Sequence, residues 1–212
     1  ALAGNTTGHS NTATGFNSLL ANTTGTVNQA FGRSSLCSNT EGDCNSAFGY
    51  FSLSSNTTGE CNTALGNSSL AANTTASYNT AAGFKSLNAN TTGTENTAVG
   101  QNALVKNTTA NDNTAMGNSA LACNTTGYNN TGIGKVALLK NTTGYNNTSI
   151  GCGALNSITT GQGNLGIGVV SGAEGAMIDL TTQNNRGVFG NNGITNAYVK
   201  VAWTVTSDQR DK

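Results

Sequence analysis

Asn90-Thr91-Thr92-Gly93-Thr94-Glu95-Asn96-Thr97-Ala98-Val99-Gly100-Gln101-Asn102-Ala103-Leu104-Val105-Lys106 is followed at once by Asn107-Thr108-Thr109 and preceded, at the same distance, by Asn73-Thr74-Thr75. Outward from this stretch the starts recur at Asn5, Asn22, Asn39, Asn56, Asn73, Asn90, Asn107, Asn124 and Asn141, always 17 residues apart. A tenth, degenerate unit begins at Ile158 and keeps Thr159, Thr160 and Gly161. With each unit numbered 1 to 17 from its first residue, position 7 is Asn and position 11 is Gly in all ten units. Position 15 is Leu in nine of them, from Leu19 to Leu155. A period without insertions lets each residue lie over its equivalent in the next coil, about 4.8 Å away. The nine full units would then make a rod roughly 43 Å long. The expected fold is all-β, a β-solenoid or β-roll of 17-residue coils.

Composition agrees with a rod and argues against an ordinary globular core. Asn, Thr, Ser, Gly and Ala dominate, Pro is absent, and only 8% of residues are charged. So few large side chains cannot close a wide core, and so regular a chain is not a disordered tract. Nine Lys or Arg balance nine Asp or Glu, with no basic patch for nucleic acid. No apolar run of about 18 residues encodes a membrane insertion. The chain opens on Ala1 without an initiator Met or a signal-peptide pattern, which reads as a piece of a longer or processed protein.

Positions 8 to 10 predict a short strand between Asn and Gly. Position 9 is small (Ala13, Ala30, Ala47, Ala64, Ala81, Ala98, Ala115, Gly132, Ser149, Gly166), and position 10 is mostly large and apolar (Phe31, Phe48, Leu65, Val99, Met116, Ile133, Ile150, Ile167). Neighbours on a strand face opposite ways, so both faces are expected to pack. A lone solenoid needs only the inward column. The second one points to a homo-oligomer, most simply a homotrimer forming a three-fold fibre. Gly at position 11 should be the strict turn residue, whereas position 4 accepts Ala76 and Ala110. Stacked Asn side chains should bond to their copies above and below and satisfy turn backbone. Unit ten loses Leu at position 15 and drifts into Gly172, which reads as the end of the rod.

Residues able to do chemistry are sparse. Cys37, Cys44, Cys61, Cys123 and Cys152 lack metal-ligand spacing. Cys44 and Cys61 share position 6 in adjacent coils, so a disulfide competes there with unpaired thiols, which are the better reading. His9 is the only His, and Glu41, Asp43, Glu60, Glu95 and Asp112 keep no fixed phase as a glycosidase pair would. No metal or cofactor is expected. Asn-x-Ser/Thr matches follow from the repeat itself and are weak glycosylation signals. An ice-binding Thr array is disfavoured, because adjacent Thr residues alternate faces. Tyr78, Tyr128 and Tyr145 lie at position 6 and then position 5 twice; they are the candidate glycan-facing stripe, with turn packing as the plainer account.

The phrase Asn96-Thr97-Ala98-Val99-Gly100-Gln101-Asn102-Ala103-Leu104 resembles head repeats of trimeric autotransporter adhesins and repeats of phage fibres. Beyond Ala173 the sequence reads differently: turns at Asn184-Asn185-Arg186-Gly187 and Asn191-Asn192-Gly193, then a β-prone run from Tyr198 to Thr206 holding Trp203. Trp203-Thr204-Val205-Thr206-Ser207-Asp208-Gln209-Arg210-Asp211-Lys212 resembles the junction where phage tail fibres and tailspikes enter an intramolecular chaperone of the peptidase S74 family. That resemblance implies self-cleavage between Ser207 and Asp208, with Ser207 as nucleophile and Lys212 as its general base. A partly desolvated Lys can give up its proton and activate a hydroxyl.

The expected organisation is a repeat shaft over 1–172, a β cap or trimer knob over 173–206, and the start of a removed chaperone over 207–212. The segment itself is expected not to be an enzyme, although its precursor would cleave itself. Function is expected to be that of a structural and host-attachment segment of a viral tail fibre or tailspike, made in the host cytoplasm and carried on the virion. Its partners would be two further copies of itself, upstream fibre or virion proteins, and a host surface glycan or protein receptor. The rival readings are a trimeric bacterial adhesin head and a non-catalytic part of a polysaccharide depolymerase spike.

Overall fold

The computed structural model describes residues 1–172 and 180–191. Eleven three-residue strands follow one another: β1 (Thr12–Thr14), β2 (Gln29–Phe31), β3 (Ser46–Phe48), β4 (Thr63–Leu65), β5 (Thr80–Ala82), β6 (Thr97–Val99), β7 (Thr114–Met116), β8 (Thr131–Ile133), β9 (Thr148–Ile150), β10 (Leu165–Ile167) and β11 (Gly187–Phe189). They form a single parallel sheet in sequence order. From β1 to β10 each residue pairs with the one 17 positions on, as in Ala98↔Ala115. The fold is an all-parallel β-solenoid with one coil per repeat, and ten intervals make the sheet about 48 Å long.

The core is one Leu and one small residue wide. Leu at position 15 is fully buried in every coil from Leu19 to Leu155, and so is Ala at position 9 from Ala30 to Ala115. The two columns face each other: a Cβ on Gly132 would lie 3.3 Å from Leu121 Cγ. Where Ser149 takes the Ala position, its Oγ donates to the Ala154 carbonyl at 2.7 Å and costs the core no unpaired group. Position 14 completes the turn. Its Ser hydroxyls, from Ser18 to Ser86, donate at 3.0 Å to the carbonyl of the Gly at position 11.

The remaining interior is polar and runs as two ladders. At position 1, each Asn from Asn22 to Asn141 donates one Nδ2 hydrogen to Oδ1 of the Asn before it, at 2.7–3.0 Å. The other goes to the position 4 carbonyl of its own coil, at 2.8–3.0 Å. At position 7 each Asn Oδ1 accepts the backbone N–H of the next Asn, as Asn79 does from Asn96 at 3.0 Å. These Asn side chains therefore bond to their copies and hold turn backbone, as the sequence predicts. A buried amide is tolerable here only because its partners recur at every level.

Three positions per coil are left-handed, and in coils one to eight none of them is Gly. Position 6 includes Val27, Tyr78 and Glu95, position 13 includes Phe51, Lys85 and Val136, and position 15 is the core Leu itself, with φ of 46–51° from Leu19 to Leu155. A non-glycine residue held there costs roughly 1–3 kcal/mol, so stacking must offset strain in every coil. Position 11 is different in kind. Its Gly residues have φ between 112° and 142°, and a Cβ on any of Gly15 through Gly151 would meet the carbonyl oxygen of the next such Gly at 2.5–2.7 Å. Only Gly fits. Position 4 is as crowded, since a Cβ on Gly59 or Gly93 would also press on the carbonyl oxygen of the next coil; yet Ala76 and Ala110 are buried there without positive φ, so it is the backbone conformation at position 11 that makes that turn the strict one.

The expected end of the register at Gly172 requires correction. Strand β11 pairs in parallel with β10 at an offset of 22 residues, Leu165↔Gly187, so five extra residues are accommodated and stacking resumes. Leu180 takes position 1 and is fully buried. A Cβ on Gly172 would meet Leu180 Cδ1 at 3.1 Å and Leu155 Cδ2 at 2.8 Å, so neighbouring leucines occupy the volume vacated at position 15. Asn185 is a left-handed turn residue, but Gly187 opens a strand. The Tyr198–Thr206 run, Trp203 and the 207–212 junction lie outside the described residues.

Candidate functional surface

The strand places position 9 inward and position 10 outward, which confirms that they take opposite faces. Among the described residues nothing covers the outer one. Phe48, Leu65, Val99, Met116, Ile133, Ile150 and Ile167 are each about two-fifths exposed (37–42%). They form an apolar row along the sheet, in which Phe31 and Phe48 stack with centroids 4.8 Å apart. A continuous outward apolar row on a thin rod is the kind of surface that marks an interaction site.

Beside it lies an aromatic and cationic cluster that the sequence reading did not single out. The Arg33 guanidinium rests between Phe16 and Tyr50, 5.7 and 5.8 Å from their centroids, and Tyr50 meets Phe51 edge-on at 4.4 Å. All three members of the sandwich occupy position 12, so their 17-residue spacing was the available signal.

Of the predicted glycan-facing residues, two come together. Tyr128 and Tyr145 stack with centroids 4.8 Å apart and rings 7° from parallel. Tyr78 is exposed but left-handed at position 6, about three coils or roughly 14 Å away along the rod. The three do not form one stripe. Ser207, Asp208 and Lys212 fall outside the described residues.

Other surface columns are committed to structure. The position 2 hydroxyls, from Thr6 to Thr159, donate to the carbonyl of the next coil at 2.8–3.3 Å, which leaves position 3 alone to face solvent. The position 1 Asn side chains from Asn22 to Asn141 are fully buried with both amide hydrogens donated, so the folded chain offers none of them to a glycosyl transferase. The five cysteines are free thiols. Cys61 is pushed above the usual thiol range by burial first, then by the neighbouring Cys44 thiol and the Glu60 and Asp43 carboxylates. Among the described residues no group of three or more His, Cys, Asp or Glu is placed to hold a metal ion, and no helix is long and apolar enough to cross a membrane.

The architecture is thus a repeat solenoid compatible with structural, fibre-like proteins in general. Comparison with known family models, curated proteins and solved structures found no match for this chain.

Proposed function

We propose that this chain is the shaft of a viral tail fibre or tailspike, most simply from a bacteriophage, built as a homotrimer that carries a host-recognition surface away from the particle. The observation that carries the reading is the apolar row at position 10, which runs along the sheet and is left uncovered by the described residues of its own chain. Three rods sharing that row around one axis would bury it. The Ser207-Asp208-Gln209-Arg210 motif supports the fibre over an adhesin head, through its resemblance to the chaperone junction. In this reading the Ser207 hydroxyl, its proton taken by Lys212, attacks the carbonyl of the Ser207–Asp208 peptide; that C–N bond breaks, the Asp208 nitrogen leaves as an amine carrying the proton from Lys212, water hydrolyses the Ser207 ester, and the mature shaft carries no catalysis. The stacked Tyr128 and Tyr145 rings offer a flat apolar platform of the kind sugar rings pack on. The assembly would be made in the host cytoplasm, joined to upstream fibre or virion proteins, and displayed on the virion.

Light scattering tests the assembly: a mass three times the 21.3 kDa chain is expected, and a monomer at micromolar concentration would sink the reading. For the junction, the chain is expressed together with the sequence that follows Lys212 in its gene. Cleavage after Ser207 is expected, and Ser207→Ala should leave one uncut band on a denaturing gel. Normal cutting in that variant would overturn the nucleophile assignment.

A further inference from the structure

The charged side chains are sorted around the coil. Among the described residues, Glu41, Asp43, Glu60, Glu95 and Asp112 all fall at positions 3, 5 or 6. Arg33, Lys85, Lys106, Lys135 and Lys140 all fall at positions 12, 13 or 17, and only Arg186, at position 7 of the last coil, departs from the rule. Each coil is one turn stacked on the next, so order along the chain is order around the rod. The outward apolar row at position 10 therefore runs between an acidic flank and a basic flank.

The levels match as well. Along the rim nearest the apolar row, Arg33 is in coil two, Lys85 in coil five and Lys135 in coil eight. Asp43 is in coil three, Glu60 in coil four, Glu95 in coil six and Asp112 in coil seven. Each of these cations is thus one coil, about 4.8 Å of axis, from the level of a carboxylate. Arg33 is also steadied on its flank by the Phe16 and Tyr50 rings.

We propose that the partner of the position 10 face is a second copy of this chain pointing the same way, related by rotation about an axis along the rod, with the acidic flank of one copy against the basic flank of the next. The proposal rests on reading the shaft as a homo-oligomer and adds its orientation and pairing. Rotation about such an axis preserves the coil levels and brings the left rim of one rod to the right rim of its neighbour. Acid then meets base at every interface, whatever the number of rods in the ring. Turning one rod end over end with the same faces apposed puts acid on acid and base on base. The apolar row binds in either orientation; the charges choose between them, the specificity role that rim charges serve.

The experiment uses the full chain with its five cysteines changed to Ser and Leu65→Cys added. Leu65 is in coil four, away from the middle of the stack, so identical positions meet across the axis only if the rods are parallel. Light scattering should report an oligomer, and mild oxidation should give a disulfide-linked dimer band. In a cysteine-free background, Glu60→Lys with Glu95→Lys and Asp112→Lys should weaken association at least about tenfold at low salt. Adding Lys85→Glu and Lys135→Glu, the cations one coil from those three carboxylates, should restore it to within about threefold, because the charges facing each other across the rim are then exchanged while the Arg33 and Asp43 pair is untouched. An oligomer that neither cross-links at Leu65→Cys nor responds to the single-flank reversal would overturn this proposal and leave the shaft reading standing. A monomeric parent chain would overturn both.

Discussion

The middle of the rod and its last described coil solve the same packing problem with different chemistry. From Asn22 to Asn141 the position 1 column is a continuous amide ladder; at Ile158 and Leu180 it becomes hydrocarbon, fully buried in both coils. The cost of the change falls on one atom. Asn141 Oδ1 is buried without a hydrogen-bond partner, because Ile158 brings no donor to the place where every earlier Asn receives one. The column thus tolerates amide or hydrocarbon, but each junction between them strands a polar group. Length obeys a similar rule: coil ten takes 22 residues instead of 17 and still delivers β11 in register.

This contrast can be broken most severely at the core. Leu87→Ala, in the regular stack, should cost about 2–5 kcal/mol, read as the shift in denaturant midpoint. Leu180→Ala should loosen only the last coil, leaving slow hydrogen exchange intact from coil two to coil eight; global loss of protection there would show that the two regions form one cooperative unit. Next comes the strict turn. Gly100→Ala should cost roughly 3 kcal/mol, because its Cβ would lie 2.6 Å from the Gly117 carbonyl oxygen at φ 128°. Gly168→Ala should cost less, since the tightest contact there is 3.0 Å, to Gly190 Cα. Equal losses of thermal midpoint would refute the steric account.

The amide ladder gives a smaller difference. Asn90→Leu strands the Asn73 Oδ1 and removes the acceptor used by Asn107, whereas Asn141→Leu strands the Asn124 Oδ1 but removes an oxygen that had no donor. Asn141→Leu should therefore be milder by about 1 kcal/mol, measurable by chemical denaturation of the pair. The smallest effect is chemical. With its pKa raised, Cys61 holds less thiolate at pH 8 than an ordinary exposed thiol and should alkylate more slowly there. Its rate profile should move toward lower pH in Cys44→Ser, and an unmoved profile would discount the neighbouring thiol.

The period, the strand at positions 8 to 10 and the two strand faces were all legible in sequence, because stacking demands the same side-chain class at every level. Gly at position 11 was legible for a related reason: no other residue fits. The left-handed corners were not. Val27, Cys44, Tyr78 and Glu95 share one backbone conformation at position 6 with nothing in common chemically, since the corner is set by coil closure and the side chain points to solvent. The eleventh coil was hidden because its markers had changed, with Leu180 and Arg186 standing where Asn recurs elsewhere. For the surface, phase alone aligned Tyr128 with Tyr145, while the one-position offset of Tyr78 and two intervening coils defeated the idea of a single stripe.

One coil per repeat also sets how the rod responds to tension. Peeling a single 17-residue coil from the stack shortens the rod by about 4.8 Å but releases roughly 58 Å of extended chain. Because each coil bonds only to its neighbours, peeling proceeds one coil at a time, and each step breaks a similar set of hydrogen bonds. The solenoid should therefore yield lengthwise in near-equal increments, as a graded shock absorber does.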